Sequence, residues 1–180
     1  MAKAIGMLEY MNVPTGVQAA DTVLKTSQVE MIEAQTVCPG KYIMLFTGEI
    51  SAVKASIEAV KNYEGLIDSF LLGNPHDGIF PAIYGTAEVS NPRALGVLET
   101  FSAASIIVAA DEAAKTSQVE LIELRIARGM CGKSYLMMTG EVAAVEAAIS
   151  KAISVVEKNG MLLDSSVIPN PDTRLWKSIL

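Results

Sequence analysis

The chain contains one sequence unit written twice. The hexapeptide Lys-Thr-Ser-Gln-Val-Glu occupies residues 25–30 and recurs unchanged at residues 115–120, an offset of 90. Further along, Gly40-Lys41 is matched by Gly132-Lys133 at an offset of 92, and Asn74-Pro75 by Asn170-Pro171 at an offset of 96. The length changes fall between periodic segments, where loops tolerate insertions. The repeat therefore predicts two similar domains.

Length and composition predict that these domains need a partner. A chain of 180 residues divided in two gives domains near the lower end of the usual size range, so each core is thin. About half of the residues are hydrophobic and only 6% are aromatic, which leaves small apolar side chains to be buried elsewhere, most simply against another subunit. The net charge is −6 with no run of Lys or Arg, which argues against binding to nucleic acid.

The sequence carries no signal for a membrane or for secretion. It has no apolar stretch of about 20 residues, and its first residues, Met1 to Ala4, lack the apolar region of a signal peptide. We therefore expect a cytoplasmic protein with no membrane partner. In a reducing compartment, the two cysteines, Cys38 and Cys131, are expected to be free thiols.

Hydrophobic periodicity predicts the same order of elements in each copy. In the first copy, Pro-Gly at residues 39–40 separates two strands, and Ser51 is expected to cap the second helix. The predicted elements are a strand at 4–10, a helix at 15–26, strands at 29–37 and 42–46, a helix at 51–63 and a strand at 66–72. This βαββαβ order is ferredoxin-like and places the chain in the α+β class. The second copy repeats it, with its second helix at 143–158 and its last strand at 162–168.

The boundary between the copies is polar and contains Gly and Pro. Residues 84–93 read Tyr-Gly-Thr-Ala-Glu-Val-Ser-Asn-Pro-Arg, which is typical of a connection. We predict a first domain at 1–84, a linker at 85–92 and a second domain at 93–180. A short helix at 77–83 is expected to end the first domain.

No catalytic constellation is visible. The sequence has no glycine-rich phosphate loop, no CxxC pair and no nucleophile elbow. His76, the single histidine, has no carboxylate or serine pattern around it and is expected to be an exposed loop residue. The repeated acids Glu9 and Glu99, like Glu49 and Glu141, are expected on solvated faces or at interfaces. We therefore predict a protein that is not an enzyme.

Several segments resemble a known family, the tandem-domain shell proteins of bacterial microcompartments of the propanediol-utilisation type. The resemblance covers nearly the whole chain, and no single motif carries it alone. Its carriers are the first strands at residues 4–9 and 94–99, the Ala-Ala-Asp ending at Asp21 and at Asp111, the Lys-Thr-Ser-Gln-Val segments from Lys25 and from Lys115, the Gly-Glu pairs at 48–49 and 140–141, and Val37-Cys38-Pro39-Gly40-Lys41.

The resemblance implies a homotrimer whose six domains imitate a flat hexagon. Three chains of two similar domains close such a ring with three-fold symmetry and a pseudo-hexagonal outline. The family tiles such hexagons with other shell proteins around enclosed enzymes, so other shell proteins, and encapsulated redox enzymes, are the implied partners.

The resemblance also implies a metal site at the central pore. The first loop implied at the pore consists of Val37, Cys38, Pro39, Gly40 and Lys41. Three copies of Cys38 would hold a [4Fe-4S] cluster shared by three chains. Such clusters normally take four thiolates, which a chain with two cysteines lacks, whereas a trimer offers three and leaves one iron for another ligand. The implied function is electron transfer across the shell or cluster delivery to enzymes inside. A small apolar residue at a strand end is the alternative for Cys38.

The corresponding loop of the second copy departs from the family pattern. In the resembling proteins this loop is glycine-rich, whereas here it reads Gly129, Met130, Cys131, Gly132, with a thiol inside it. Met130, not Cys131, is the counterpart of Cys38. Cys131 is read as an incidental loop residue, with a spare ligand or a redox partner as alternatives, and we do not assign it to the metal.

Two lysines mark the implied edge of the tile. Lys25 and Lys115 end the first helix of each copy, where a cation interacts favourably with the helix dipole, and the family places such lysines against the neighbouring tile. The family's Pro-Arg-Pro-His edge segment is altered here, because Asn74 and Asn170 stand in place of its arginine.

Two other functions remain open at this point. One is a shell tile whose pore conducts a metabolite, with Cys38 lining the pore and no cluster. The other is a small-molecule sensor, because ferredoxin-like duplications also occur in regulators.

Overall fold

The computed structural model describes residues 4–180 and divides them into two compact units. Unit 1 consists of the described residues up to Pro75 together with Ser102–Ser105 and Ala127–Gly132. Unit 2 consists of His76–Phe101, Ile106–Ile126 and Lys133–Leu180. Residues 76–84, which the sequence analysis groups with the first domain, thus belong to unit 2. Among the described residues, no helix combines the length and the hydropathy that a membrane crossing requires.

Unit 1 contains the βαββαβ arrangement. Its elements are β1 (Ala4–Tyr10), α1 (Val13–Thr26), β2 (Val29–Val37), β3 (Lys41–Gly48), α2 (Ile50–Val60) and β4 (Leu66–Gly73). The strand order is β2-β3-β1-β4, and all neighbouring pairs are antiparallel. The α+β, ferredoxin-like prediction is therefore confirmed for the first copy.

The core of unit 1 lies between the sheet and its two helices. Leu8, Met44 and Phe46 contribute from the strands, and Val23 and Val53 contribute from α1 and α2. The approach of α1 to the sheet depends on Gly16. A Cβ atom at this position would lie 2.5 Å from Cβ of Tyr42, so only the absence of a side chain allows the contact.

Unit 2 repeats the arrangement and adds a short helix at each end. The elements are α3 (Ile79–Tyr84), β5 (Ala94–Thr100), α4 (Ala103–Thr116, whose first turn belongs to unit 1), β6 (Val119–Arg125), β7 (Ser134–Gly140), α5 (Val142–Val156), a 3-10 turn (Glu157–Asn159), β8 (Leu162–Ile168) and α6 (Thr173–Ile179). The sheet order β6-β7-β5-β8 matches that of unit 1, and its strands are also antiparallel.

Two local predictions need correction. The second helix begins at Ile50 with Glu49 as its N-cap residue, so Ser51 lies inside the helix and is not its cap. The C-terminal helix α6 was missed, because seven residues are too few to establish a helical period. Its N-cap is Asp172, whose carboxylate accepts a hydrogen bond from the backbone N–H of Arg174, and Trp176 is buried against Leu95 and Ile122.

Because the hydroxyl of Tyr10 is buried, we expect the free energy of unfolding to fall at alkaline pH. The hydroxyl donates a 2.8 Å hydrogen bond to the carbonyl oxygen of Val60, and burial, with a smaller contribution from Tyr63, raises the pKa of Tyr10 from 10.0 to about 12. The unfolded hydroxyl loses its proton first, so this stabilisation is complete below pH 10 and is lost as the pH rises through about 12. We expect Tyr10→Phe to flatten the fall in the free energy of unfolding over this range. Parallel pH curves for the two proteins would contradict the assignment.

Candidate pore loops and subunit surfaces

Cys38 stands on the tight turn between β2 and β3. The strands end and begin at Val37 and Lys41, and the turn is closed by a 2.9 Å hydrogen bond from the N–H of Gly40 to the carbonyl oxygen of Val37. Gly40 has a φ of +106°, which glycine adopts without strain. Cys38 is exposed. The turn therefore presents a thiol to the outside of unit 1.

The loop of the second copy that carries Cys131 lies against this turn, within unit 1. A Cβ atom on Gly132 would lie 3.0 Å from the carbonyl oxygen of Cys38 and 2.9 Å from Cδ of Pro39, so the two loops are in close contact. Cys131 itself has a φ of +52° and is exposed. The two loops that the sequence analysis assigns to the pore are thus neighbours. Their position at a pore stays a prediction.

An ion pair holds the second loop to β2. The guanidinium of Arg128 pairs with the carboxylate of Glu33, whose side chain is nearly buried. The same carboxylate oxygen of Glu33 accepts a hydrogen bond from the side-chain amide of Gln35. Sequence reasoning missed this pair, because the two residues lie 95 positions apart and the periodicity of a helix or strand relates only nearby positions.

The donor set fits a thiolate-bound cluster only if several chains contribute. Each chain supplies two cysteines, both exposed at touching loops, and the turn fixes the backbone of Cys38. An iron-sulfur cluster takes thiolate ligands, normally four. Cys38 would hold the group, and copies of it from further chains would supply the other thiolates.

A second polar cluster lies on the face of the unit 1 sheet. Glu9 is fully buried, with Oε1 2.8 Å from Nζ of Lys41 and Oε2 accepting a 3.1 Å hydrogen bond from the N–H of Ala103. Beside it, Oδ2 of Asp68 accepts hydrogen bonds from the hydroxyls of Ser102 at 2.5 Å and Ser105 at 2.7 Å. Of the two expectations for Glu9, a solvated face or an interface, its burial rules out the solvated face. The first turn of α4 covers this face.

The matching face of unit 2 is an open groove. The sheet groove of unit 2 has a volume of about 210 Å³ and is lined by Val97, Glu99, Tyr135, Met137, Asp164, Ser165 and Ser166. Glu99 pairs with Lys133 at 2.6 Å, and this pair is the counterpart of Glu9 and Lys41 in unit 1. Unlike Glu9, Glu99 is partly exposed, and so is Lys133. Burial raises the pKa of Tyr135, and its hydrogen bond to Glu123, 2.6 Å long, raises that pKa further.

The two predicted edge lysines end α1 and α4 as expected. Lys25 lies 2.6 Å from Asp21, and Lys115 lies 2.6 Å from Asp111. His76 is half-buried, so the expectation of an exposed residue is wrong. The backbone N–H of His76 donates a 2.7 Å hydrogen bond to Oδ1 of Asp111, and Nδ1 of its imidazole accepts a hydrogen bond from the N–H of Gly78. That these lysines meet a neighbouring tile stays a prediction.

The fold and the repeat define the class of this chain, two tandem ferredoxin-like domains in one polypeptide. The family model described as BMC domain matches it twice, over residues 4–75 and 94–171. The chain therefore belongs to the BMC-domain family, as a tandem microcompartment shell protein of the PduT type.

Individual relatives agree with this assignment. The chain is 36% identical to the bacterial microcompartment shell protein PduT of Citrobacter freundii, over 100% of this chain and 99% of the relative. It is 25% identical to the carboxysome assembly protein CcmO of Synechococcus elongatus, over 99% of this chain and 69% of the relative.

Among solved structures, the crystal structure of a microcompartment protein from Desulfitobacterium hafniense DCB superimposes with a TM-score of 0.87. The two chains are 43% identical, and the match covers 98% of this chain and 99% of the other. A fused permuted hexameric shell protein from the RMM microcompartment matches with a TM-score of 0.66 at 22% identity, over 87% of this chain and 82% of the other, and shows the fold alone.

Proposed function

We propose that this chain is a structural tile of a microcompartment shell, that three copies close a ring, and that the ring holds a [4Fe-4S] cluster on three copies of Cys38. The single observation that supports the cluster most directly is the exposed thiol of Cys38 on a tight, hydrogen-bonded turn. The full-length similarity to PduT supports the shell role. In this proposal the protein is structural and not an enzyme.

The polypeptide's part in this function is to position sulfur. The turn hydrogen bond between Gly40 and Val37 limits the positions that the thiol of Cys38 can take, and the contact of Gly132 with the carbonyl of Cys38 restricts them further. When bound, the cluster supplies one-electron transfer. The shell then passes electrons between the cytosol and the enclosed redox enzymes.

The experiment is anaerobic purification followed by iron and acid-labile sulfide analysis. We expect about four irons and four sulfides per three chains in the natural protein. Cys38→Ser is expected to lose essentially all of both, because it removes all three protein ligands.

Cys131→Ser is the matched control, because Cys131 is the other exposed thiol of the same pair of loops. It is expected to keep the full iron content. If Cys38→Ser also keeps its iron, the ligand assignment is wrong. If the natural protein is free of iron yet forms three-chain rings and sheets, the pore conducts a metabolite and carries no cluster.

The shell role has its own readout. Purified rings are expected to form two-dimensional sheets, visible by electron microscopy, in which Lys25 and Lys115 lie at the edges between rings. A chain that stays a small, discrete oligomer at every concentration would instead support a sensor.

A further inference from the structure

The two thiols of the chain belong to neighbouring loops of the same compact unit. Cys38 stands on the turn between β2 and β3, and Cys131 lies in the segment Ala127–Gly132, which is part of unit 1. Both are exposed and neither takes part in a disulfide. The sequence contains no third cysteine. The proposed cluster uses Cys38 alone, so Cys131 has no part in it.

A backbone contact limits the separation of the two cysteines. A Cβ atom on Gly132 would lie 3.0 Å from the carbonyl oxygen of Cys38. Because Cys131 immediately precedes Gly132, ordinary covalent geometry places the Cα atoms of Cys38 and Cys131 at most about 11 Å apart. A disulfide joins Cα atoms that are about 4.4 to 6.8 Å apart. Closing a bridge between these two residues therefore requires a loop movement of at most about 4 Å.

Two contacts, one on each side of Cys131, keep its loop near Cys38. On one side is the contact of Gly132 with the carbonyl oxygen of Cys38. On the other side, Arg128 pairs with Glu33 of β2, the strand that leads into the Cys38 turn. Only residues 129–131 separate these two anchors. The thiol of Cys131 is therefore held at a high effective concentration beside Cys38.

The loop has room to move between its anchors. Gly129 and Gly132 have φ values of +67° and +85°, which glycine adopts without strain. A Cβ atom on Gly129 would meet nothing within 4 Å, so this side of the loop faces open space. Cys131 is exposed, so a small oxidant in solution can reach its sulfur. The loop thus combines proximity to Cys38 with freedom to approach it.

Cluster binding and disulfide formation compete for one sulfur atom. An iron-sulfur cluster binds the thiolate of a cysteine. A sulfur that is bonded to a second sulfur is no longer a thiolate, and a thiolate bonded to iron is not available for exchange. A chain whose Cys38 is in a disulfide therefore supplies no ligand to the cluster.

We propose that Cys38 and Cys131 of one chain form a reversible disulfide when the cluster is absent, and that this bridge withdraws Cys38 from the metal. The oxidant is a small disulfide such as glutathione disulfide. One protein thiolate attacks it and releases the first glutathione, and the second protein thiolate then attacks the bonded protein sulfur and releases the other. Two thiols lose two electrons and two protons, and glutathione disulfide is reduced to two glutathiones. This inference rests on the proposed cluster and makes its loading depend on the thiol redox state.

The test is the thiol state of the iron-free, full-length protein in a glutathione buffer. The buffer contains about 1 mM reduced glutathione in about tenfold excess over its disulfide, so that a bridge is favoured only between thiols that are already close. After acid quenching and alkylation, intact mass and peptide mapping report each cysteine. We expect most chains to carry neither alkyl group nor glutathione, with Cys38 joined to Cys131 in one chain. Dithiothreitol is expected to restore both thiols.

Cys131→Ser is the matched variant, because it removes the second thiol and leaves the Cys38 turn intact. In the same buffer its Cys38 is expected to stay mostly a free thiol, since a mixed disulfide with glutathione gains nothing from a neighbour. Two free thiols in the natural protein would overturn the inference. Glutathione on both cysteines, or a Cys38–Cys38 link between chains in place of the internal bridge, would do the same.

The cluster-loaded protein separates this inference from the proposed function. In the same buffer, its iron content is expected to fall in step with the fraction of bridged chains. Loaded protein that forms the bridge and keeps all of its iron would contradict the competition for Cys38. If the anaerobically purified protein holds no iron, the cluster proposal is wrong, and the effect of the bridge on loading is wrong with it. The iron-free measurement still decides whether the bridge forms.

Discussion

Replacing Gly16 by isoleucine is expected to lower the free energy of unfolding by about 3 kcal/mol, at the upper end of the usual cost of overpacking a core. The Cβ atom alone would lie 2.5 Å from Cβ and 2.6 Å from Cδ1 of Tyr42. Cβ of Tyr42 is fixed to the backbone of β3, so rotation of the ring cannot relieve this overlap. Helix α1 must move away from the sheet. Urea unfolding followed by circular dichroism measures the loss.

The second copy supplies the control for this prediction. Its residues at the equivalent positions are Ile106 and Ser134, both buried, so the large and small side chains are exchanged. The double variant Gly16→Ile/Tyr42→Ser is therefore expected to lose less free energy of unfolding than the two single variants lose together. The difference is expected to be about 1 to 2 kcal/mol. Additive losses, or a Gly16→Ile variant as stable as the natural chain, would show that this contact does not limit packing.

Replacing Glu9 by alanine is expected to cost about 3 kcal/mol, the lower end of the range for breaking a buried ion pair. Glu9 is fully buried and Lys41 is 14% exposed, so the change leaves an ammonium with little access to water. It also removes the acceptor for the N–H of Ala103 at the start of α4. The measurement is the midpoint and slope of urea unfolding at pH 7.

Glu99→Ala is the matched variant, because it breaks the equivalent pair with Lys133 in unit 2. Both side chains there are partly exposed, so in dilute, single-copy protein the loss is expected to be below about 1 kcal/mol. Equal losses for Glu9→Ala and Glu99→Ala in the dilute protein would contradict the difference in cover between the two faces.

The internal repeat and the periodicity were sufficient to predict the architecture. Strands β1, β2 and β8 begin and end where the sequence predicts, because each is an apolar or alternating run bounded by turn residues. Helix ends were less accurate, as with Ser51, because Ile50 extends the apolar pattern by one residue beyond the expected cap. The apolar periodicity predicts the buried face of a helix or strand more accurately than it predicts where that element ends.

The candidate site was only partly predictable. Pro39 and Gly40 were sufficient to predict a tight turn at Cys38, because this turn is local. The contact of Gly132 with Cys38 and the pairing of Arg128 with Glu33 join segments about 95 residues apart, and no local pattern encodes them. The burial of Glu9 was missed for the same reason, since its cover comes from the first turn of α4.

Native mass spectrometry of the anaerobically purified protein determines whether three chains form a ring that carries one cluster. We expect an ion of three times the 19.1 kDa chain plus the mass of one four-iron, four-sulfur cluster. Cys38→Ser is expected to lose the cluster mass and to keep the three chains. A natural protein found as one or two chains, or as three chains with no added iron and sulfur, would contradict the proposed ring and its cluster.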